Sequence, residues 1–107
     1  MSWSTRQSES RLIGQPVGRI DEKSWEALLA NLTQAVADAA AVNRDFVLDL
    51  SAVDYMSSRG LRVLTLARRE ADKHQIKFTL ARPNERMREI LSISRYDKIF
   101  TVEDSLD

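Results

Sequence analysis

The succession of apolar periodicities along these 107 residues predicts an α/β fold, with strands and helices alternating around a mostly parallel sheet joined by crossover helices. Three observations carry this. Phe46-Val47-Leu48-Asp49-Leu50 is nearly all apolar, as a strand buried on both faces is. Trp25, Leu28, Leu29, Leu32, Ala35, Val36 and Ala39 recur every three or four residues, which is a helical stripe. Ile76, Phe78 and Leu80 alternate with more polar neighbours, which is a strand. With so few helices, one face of the sheet is expected to be less covered than the other.

Residues 4–9 are polar with weak alternation and read as a short edge strand. Leu12-Ile13 and residues 17–20 form a second strand region, interrupted by Gly14 and Pro16. Proline brings no backbone donor, so this strand is expected at an edge or a bulge. Asp21 and Ser24 are both good helix starters, and the helix they open ends near Ala41. Its stripe is core, with Trp25 fitting either the core or a partner surface. A central helix covers residues 58–73, with Leu61, Leu64, Ala67 and Ala71 inward and His74 near its C-terminus, where an imidazolium suits the helix dipole. The more polar second face of strand 76–80 places it near a sheet edge. Arg82-Pro83-Asn84 turns into a short helix with Met87, Ile90 and Leu91 inward. Tyr96-Asp97-Lys98 then connects to a last strand, 99–102, and an acidic tail.

Between the buried strand and the central helix lies a short polar connection containing Asp54, Ser57, Ser58 and Gly60. This turn stands at the carboxyl end of a strand, where ligands and partners meet open α/β sheets. Ser57 is a candidate N-cap. Ser58 is then the first helical residue, exposed beside unpaired N–H groups at the positive end of the dipole. Gly60 costs about 1 kcal/mol against alanine inside a helix, which implies a close approach to the backbone there. A phosphate on Ser58 suits the position. So does the plainer reading, that two serines and a glycine simply start a helix.

The length fits a single domain, residues 1–107, and 43% hydrophobic with 30% charged residues is the composition of a soluble globular protein. There is no cysteine, and His74 is the only histidine, so no metal set can be written. No apolar run nears the ~20 residues of a membrane span, and the first residues lack the apolar core of a signal peptide. A cytoplasmic location without membrane contact is therefore expected. Ser58 and His74 make no catalytic pair, because sixteen helical residues separate them by about 24 Å. Neither a nucleophile elbow nor a phosphate loop is present, and Asp49 and Asp54 read as strand-end and turn residues. The chain is expected to be no enzyme and to need no cofactor.

A net charge of zero hides an uneven distribution. Residues 58–95 carry ten Arg or Lys against four Asp or Glu, and the remainder six against twelve. Arg59, Arg62 and Arg69 share one face of the central helix, with Arg68 to the side. A pI near 6.6 and the lack of interleaved aromatics argue against nucleic acid. The face is either solvated or a contact for an acidic protein.

The stretch VLDLSAVDYMSSRGLRVL resembles the signature of the STAS domain in its anti-sigma factor antagonist group. It shares an apolar strand ending in Asp-Leu-Ser, an aromatic-Met pair, a serine-bearing turn and a Gly-Leu opening a helix. The resemblance covers nearly the whole chain, including Gly18-Arg19-Ile20-Asp21 before the first helix. It implies a mixed, mostly parallel sheet of four to five strands with helices packed mainly on one side. The family's phosphoacceptor is the serine two positions before the glycine of Gly-Leu, here Ser58, with Ser57 as second choice. The implied function is a partner-switching module whose unphosphorylated form binds an anti-sigma factor that is also a serine kinase of the histidine-kinase-like ATPase fold. A serine phosphatase acting on phospho-Ser58 reverses the step. Asp21, Ser57, Ser58, Arg59, Gly60 and Arg62 are the implied partner-binding residues. The alternative within the same fold is an accessory subunit of a membrane transport complex. Two positions depart from the family pattern: Ser57 stands where Asp is frequent, and Arg59 where a small residue is frequent.

Overall fold

The computed structural model describes residues 1–106. Its elements in chain order are β1 (Ser2–Gln7), β2 (Arg11–Ile20), α1 (Trp25–Ala41), β3 (Asp45–Asp49), β4 (Val53–Met56), α2 (Ser58–Lys73), β5 (Phe78–Ala81), α3 (Glu85–Ile93), α4 (Tyr96–Ile99) and β6 (Thr101–Glu103). They build one sheet of six strands in the order β1-β2-β3-β5-β6, with β4 paired to β2 off that path. β1 runs antiparallel to β2, and every other pairing is parallel.

Successive strand side chains point to opposite faces, and this alternation sorts the core. Leu12, Phe46, Leu48, Phe78 and Leu80 join Leu28, Leu32, Leu64, Met87 and Leu91 in the main cluster, so α1, α2 and α3 all lie on one side. Rings extend this cluster toward the C-terminus. Phe46 stacks on Phe78 at 5.5 Å, Phe78 meets Phe100 edge-on at 6.1 Å, and Phe100 stacks on Tyr96 at 5.5 Å. The intervening strand positions, Ile13, Val47 and Ala81, pack with Leu106 on the helix-free face. Arg11 ties that C-terminal segment down, donating to the Leu106 carbonyl and pairing with Glu103 at 2.9 Å.

Several sequence-based expectations shift. The second strand is interior, flanked by β1 on one edge and by β3 and β4 on the other. The expected irregularity is real, with a register shift between Gly18 and Arg19, and Gly18 takes φ +104, a conformation side chains rarely adopt. Pro16 falls after the Gly14–Leu48 pair and before the Gly18–Val53 pair, where β2 has no parallel partner residue. Gly14 is a packing requirement, since a Cβ there would lie 2.5 Å from the Trp3 ring and 2.8 Å from Phe46. The polar connection after β3 contains a sixth strand, β4, which continues along β2 beyond the end of β3. β5 is buried throughout, between β3 and β6, rather than lying at the edge. Residues 96–99 form a helical turn after Arg95, which takes φ 65, so the last strand starts only at Thr101. Ser24 does not cap α1 with its side chain. Its hydroxyl donates to the Arg19 carbonyl at 2.8 Å and accepts from the Asp21 amide at 3.0 Å.

A polar cluster sits on the helix-free face. The Asp49 side chain is 1% exposed and meets Arg82 at 2.6 Å. It also accepts from Gln15 and from the Ser51 amide, each at 3.0 Å. Burial pushes the Asp49 carboxyl up, but the bonds from Arg82 and Ser51 outweigh it and hold it below its ordinary 3.8. Arg82 itself takes φ 53, so this pairing holds a non-glycine residue in the left-handed region. Arg82→Ala is expected to cost about 3 kcal/mol in urea unfolding, because it strands a buried carboxylate. A carboxyl lowered on folding contributes its full stability above 3.8 and loses it as pH falls through the lower folded value. Asp49→Asn should therefore flatten the acid limb of the stability profile below 3.8, read by denaturant midpoints across pH.

Candidate partner-binding site at the start of α2

The site is assembled where β2 and β4 end side by side. Arg19 pairs with Tyr55 and Ile20 with Met56 across the two strands. The Ser57 amide then donates to the Ile20 carbonyl at 2.8 Å, so the α2 turn starts directly beside the loop that carries Asp21. Ser57 adopts the extended conformation of an N-cap, and its hydroxyl accepts from the Gly60 amide at 3.4 Å. Its carbonyl takes the Leu61 amide at 3.0 Å. Ser58 is the first helical residue and is exposed. The two serines are thus distinguished by what they do: one hydroxyl is engaged in capping, and the other projects into solvent at the positive end of the helix dipole.

Gly60 is buried, not part of the surface, which revises its role as a contact residue. A Cβ there would lie 2.5 Å from Met56 Cγ and 2.7 Å from Ile20 Cγ2. The close approach that the glycine implied is real, but it comes from the strand ends beneath the helix and not from an outside ligand.

The remaining predicted residues surround Ser58. Asp21 accepts from the Lys23 amide at 3.0 Å. That bond, above the smaller help of Ser24 and Arg19 and against slight desolvation, lowers its pKa from 3.8. Arg59 is directed away from Ser58, with Nε 3.3 Å from Glu22 and its guanidinium 5.3 Å from the Trp25 ring centroid. Arg62 is exposed and lies one turn beyond Ser58 on the same helix face. It makes no ion pair or hydrogen bond among the described residues. Together Trp25, Arg59, Arg62, Val63 and Leu66 line a groove of about 400 Å³ between α1 and α2. Trp25 is therefore half core and half surface. Arg68, by contrast, belongs to the fold: it donates to the Ile99 carbonyl and lies 5.4 Å from the Phe100 centroid.

Two participants were not singled out from sequence. Tyr55 lies 4.6 Å from the Arg19 guanidinium and 5.6 Å from that of Arg86. Glu22 reaches Arg59 across 37 residues of chain, a separation at which no local pattern signals a contact. Tyr55 is the aromatic of the aromatic-Met pair, and that pairing is the signal that marks it.

The STAS domain family model matches residues 2–107. Among individual proteins, BtrV of Bordetella bronchiseptica, named for anti-sigma factor antagonism, is 38% identical over 80 residues, covering 71% of this chain and 69% of BtrV. The structure of an anti-sigma factor antagonist from Mycobacterium paratuberculosis is similar at TM-score 0.77 and 26% identity, over 99% of this chain and 89% of that one. The anti-sigma factor antagonist SpoIIAA in its unphosphorylated form aligns at TM-score 0.74 and 13% identity, over 98% and 90% of the two chains. The phosphorylated form of Bacillus SpoIIAA aligns at 0.66 and 14%, over 98% and 93%. The six-stranded, mostly parallel sheet with its helices agrees with these matches in fold, and the chain belongs to the STAS domain family, in its anti-sigma factor antagonist group.

Proposed function

We propose that this protein is an anti-sigma factor antagonist working as a phosphorylation-controlled partner switch. Its unphosphorylated form binds an anti-sigma factor that is also a serine kinase, of the histidine-kinase-like ATPase fold. That kinase inactivates it by transferring phosphate to Ser58, and a serine phosphatase restores it. The observation that carries this reading is the division of labour between the two serines, with Ser57 engaged as cap and Ser58 exposed. The names of the relatives, and the existence of SpoIIAA in both unphosphorylated and phosphorylated forms, support it.

The chemistry of the switch follows from the position. A phosphoserine adds about −1.5 to −2 charges at neutral pH, and a helix N-terminus favours an anion. Arg62 stands one turn away with no competing carboxylate, so the fold absorbs the modification without rearranging. The partner interface does not. One unit-charge repulsion at 4 Å and an effective dielectric of 20 amounts to ~4 kcal/mol, and a dianion pressed against a packed surface adds steric conflict.

With the kinase and ATP, one phosphate is expected per chain. Ser58→Ala should abolish incorporation and Ser57→Ala should retain it, at a stability cost of about 0.5–2 kcal/mol for the lost cap. Phosphate mapped by mass spectrometry to Ser57 alone would overturn the assignment. Circular dichroism and melting should be nearly the same for the two forms, while kinase affinity drops at least tenfold on phosphorylation. Amide shifts spread across the whole sheet would instead indicate an allosteric rearrangement. Arg62→Glu should weaken binding of the unphosphorylated form, measured by titration calorimetry, and unchanged affinity would return this arginine to plain solvated surface.

A further inference from the structure

We infer that the partner surface extends past the Ser58 turn onto α3, through a stack in which Arg19 and Arg86 both bear on Tyr55, and that this stack binds paired carboxylates on an acidic face of the same protein partner. The inference rests on the partner-binding reading above and assigns it a second anchor, contributed by elements that the signature sequence does not include.

The stack is built by backbone geometry. Parallel pairing of β4 with β2 sets Arg19 opposite Tyr55, with the guanidinium 4.6 Å from the ring centroid. From the other element packed on β4, Asn84 donates to the Val53 carbonyl at 2.8 Å and caps α3 by accepting from the Met87 amide. This fixes the start of α3 against β4 and puts the Arg86 guanidinium 5.6 Å from the same ring. By those two distances the guanidinium carbons can be no more than 10.2 Å apart, about a Debye length at ~0.1 M salt.

Two like charges are thus gathered on one tyrosine, one of them exposed and unpaired and the other in a single, partly exposed ion pair. The nearest carboxylate to Arg19 is Asp21, at 3.7 Å from Nε, and the Arg19 side chain remains 58% exposed. Arg86 is exposed and has no ion pair or hydrogen bond among the described residues. Glu89, one turn along α3, is not within ion-pair distance of it, and Asp54 points to the opposite side of β4 from Tyr55 by strand alternation. Arg86 keeps all its N–H donors and Arg19 keeps its terminal NH2 groups beside the Asp21 contact at Nε, and such donors grip carboxylates in a two-point fork. Ring and guanidinium are also held in place in advance, which lowers the ordering cost of binding. Tyrosine and arginine are the residue types that dominate interface energetics. Tyr55 stands two residues before Ser57, so the stack and the phosphoacceptor share one edge of the molecule.

The test measures affinity for the kinase partner of the full-length, unphosphorylated protein, with each variant's melting temperature recorded. Arg86→Glu is expected to weaken binding at least tenfold and to reduce the salt dependence of association. Arg86→Lys should recover part of that loss, and Tyr55→Leu should weaken binding through loss of the support. Arg6→Glu, an exposed reversal on the edge strand β1, serves as the control and should change affinity less than threefold. If Arg62→Glu weakens binding while Arg86→Glu and Tyr55→Leu bind like wild type, the α3 anchor is wrong and the partner-switch reading stands. If Arg6→Glu is as damaging as Arg86→Glu, binding follows overall charge and the specific pairing on Tyr55 is overturned. Failure of the wild type to bind the kinase at all removes the partner reading and this inference with it.

Discussion

The start of α2 is fastened to the end of β2 through contacts that leave almost no freedom of position. The Ser57 amide bonds the Ile20 carbonyl, and Gly60 seats the first helical turn on Ile20 and Met56 with no space for a methyl group. A backbone bond fixes height along the strand, and a side-chain-free contact fixes distance from it. Everything placed on this edge inherits the constraint. The Asp21 loop, the cap, the exposed Ser58 and the Tyr55 stack all hang from the same two strand ends. On the proposed reading, a phosphate carried by Ser58 so held cannot retreat from the partner, and its consequence falls on whatever lies against it.

The two faces of the sheet divide the work. The helix side carries the apolar core, including the ring contacts from Phe46 to Tyr96. The helix-free side carries the pairing of buried Asp49 with the exposed Arg82 and the C-terminal segment over Ile13, Val47 and Ala81. The pair stands at the end of β3 and the start of the segment after β5, adjacent strands of the parallel sheet. It therefore locks strand ends that no helix covers. Charge that stabilises the fold is paired on a buried carboxylate here, whereas the charge at the α2 and α3 edge is exposed, with Arg62 and Arg86 unpaired among the described residues.

Long periodic segments were legible from sequence, and short or distant relations were not. β3, α1 and α2 have enough residues for their spacing to declare them, and Ser57 and Ser58 were separable by the rules of helix starts. β4 is four residues long with two polar positions, too short for any period to show. The interior place of β2 was hidden because Pro16 suggests an edge, and the gap in parallel pairing that tolerates it depends on where β3 ends and β4 begins. That is tertiary information. Ser24 has the chemistry of a cap, yet its hydroxyl is drawn to Arg19 and Asp21, since the chain leaving β2 turns tightly enough to offer them. The close approach that Gly60 implied is real, and its source, Ile20 and Met56 at the strand ends, is set by the tertiary fold.

The two departures from the family pattern act in one direction. A carboxylate before the acceptor would cap α2 and also place a negative charge beside Ser58, whereas the Ser57 hydroxyl caps without charge. Arg59 adds a positive charge where a small residue is frequent, and its ion pair with Glu22 keeps the side chain from covering Ser58. Around Ser58, then, this chain carries no charge where the resembling pattern has a frequent Asp, and a cation held slightly apart where that pattern has a small residue. Such a potential favours an anion at Ser58 more than the usual pattern does, and it favours an unphosphorylated complex only with a partner that supplies its own negative charge. On the proposed reading, Ser57 and Arg59 therefore favour the same acidic partner surface as Arg62 and Arg86, a negative charge whose place a phosphate on Ser58 would take.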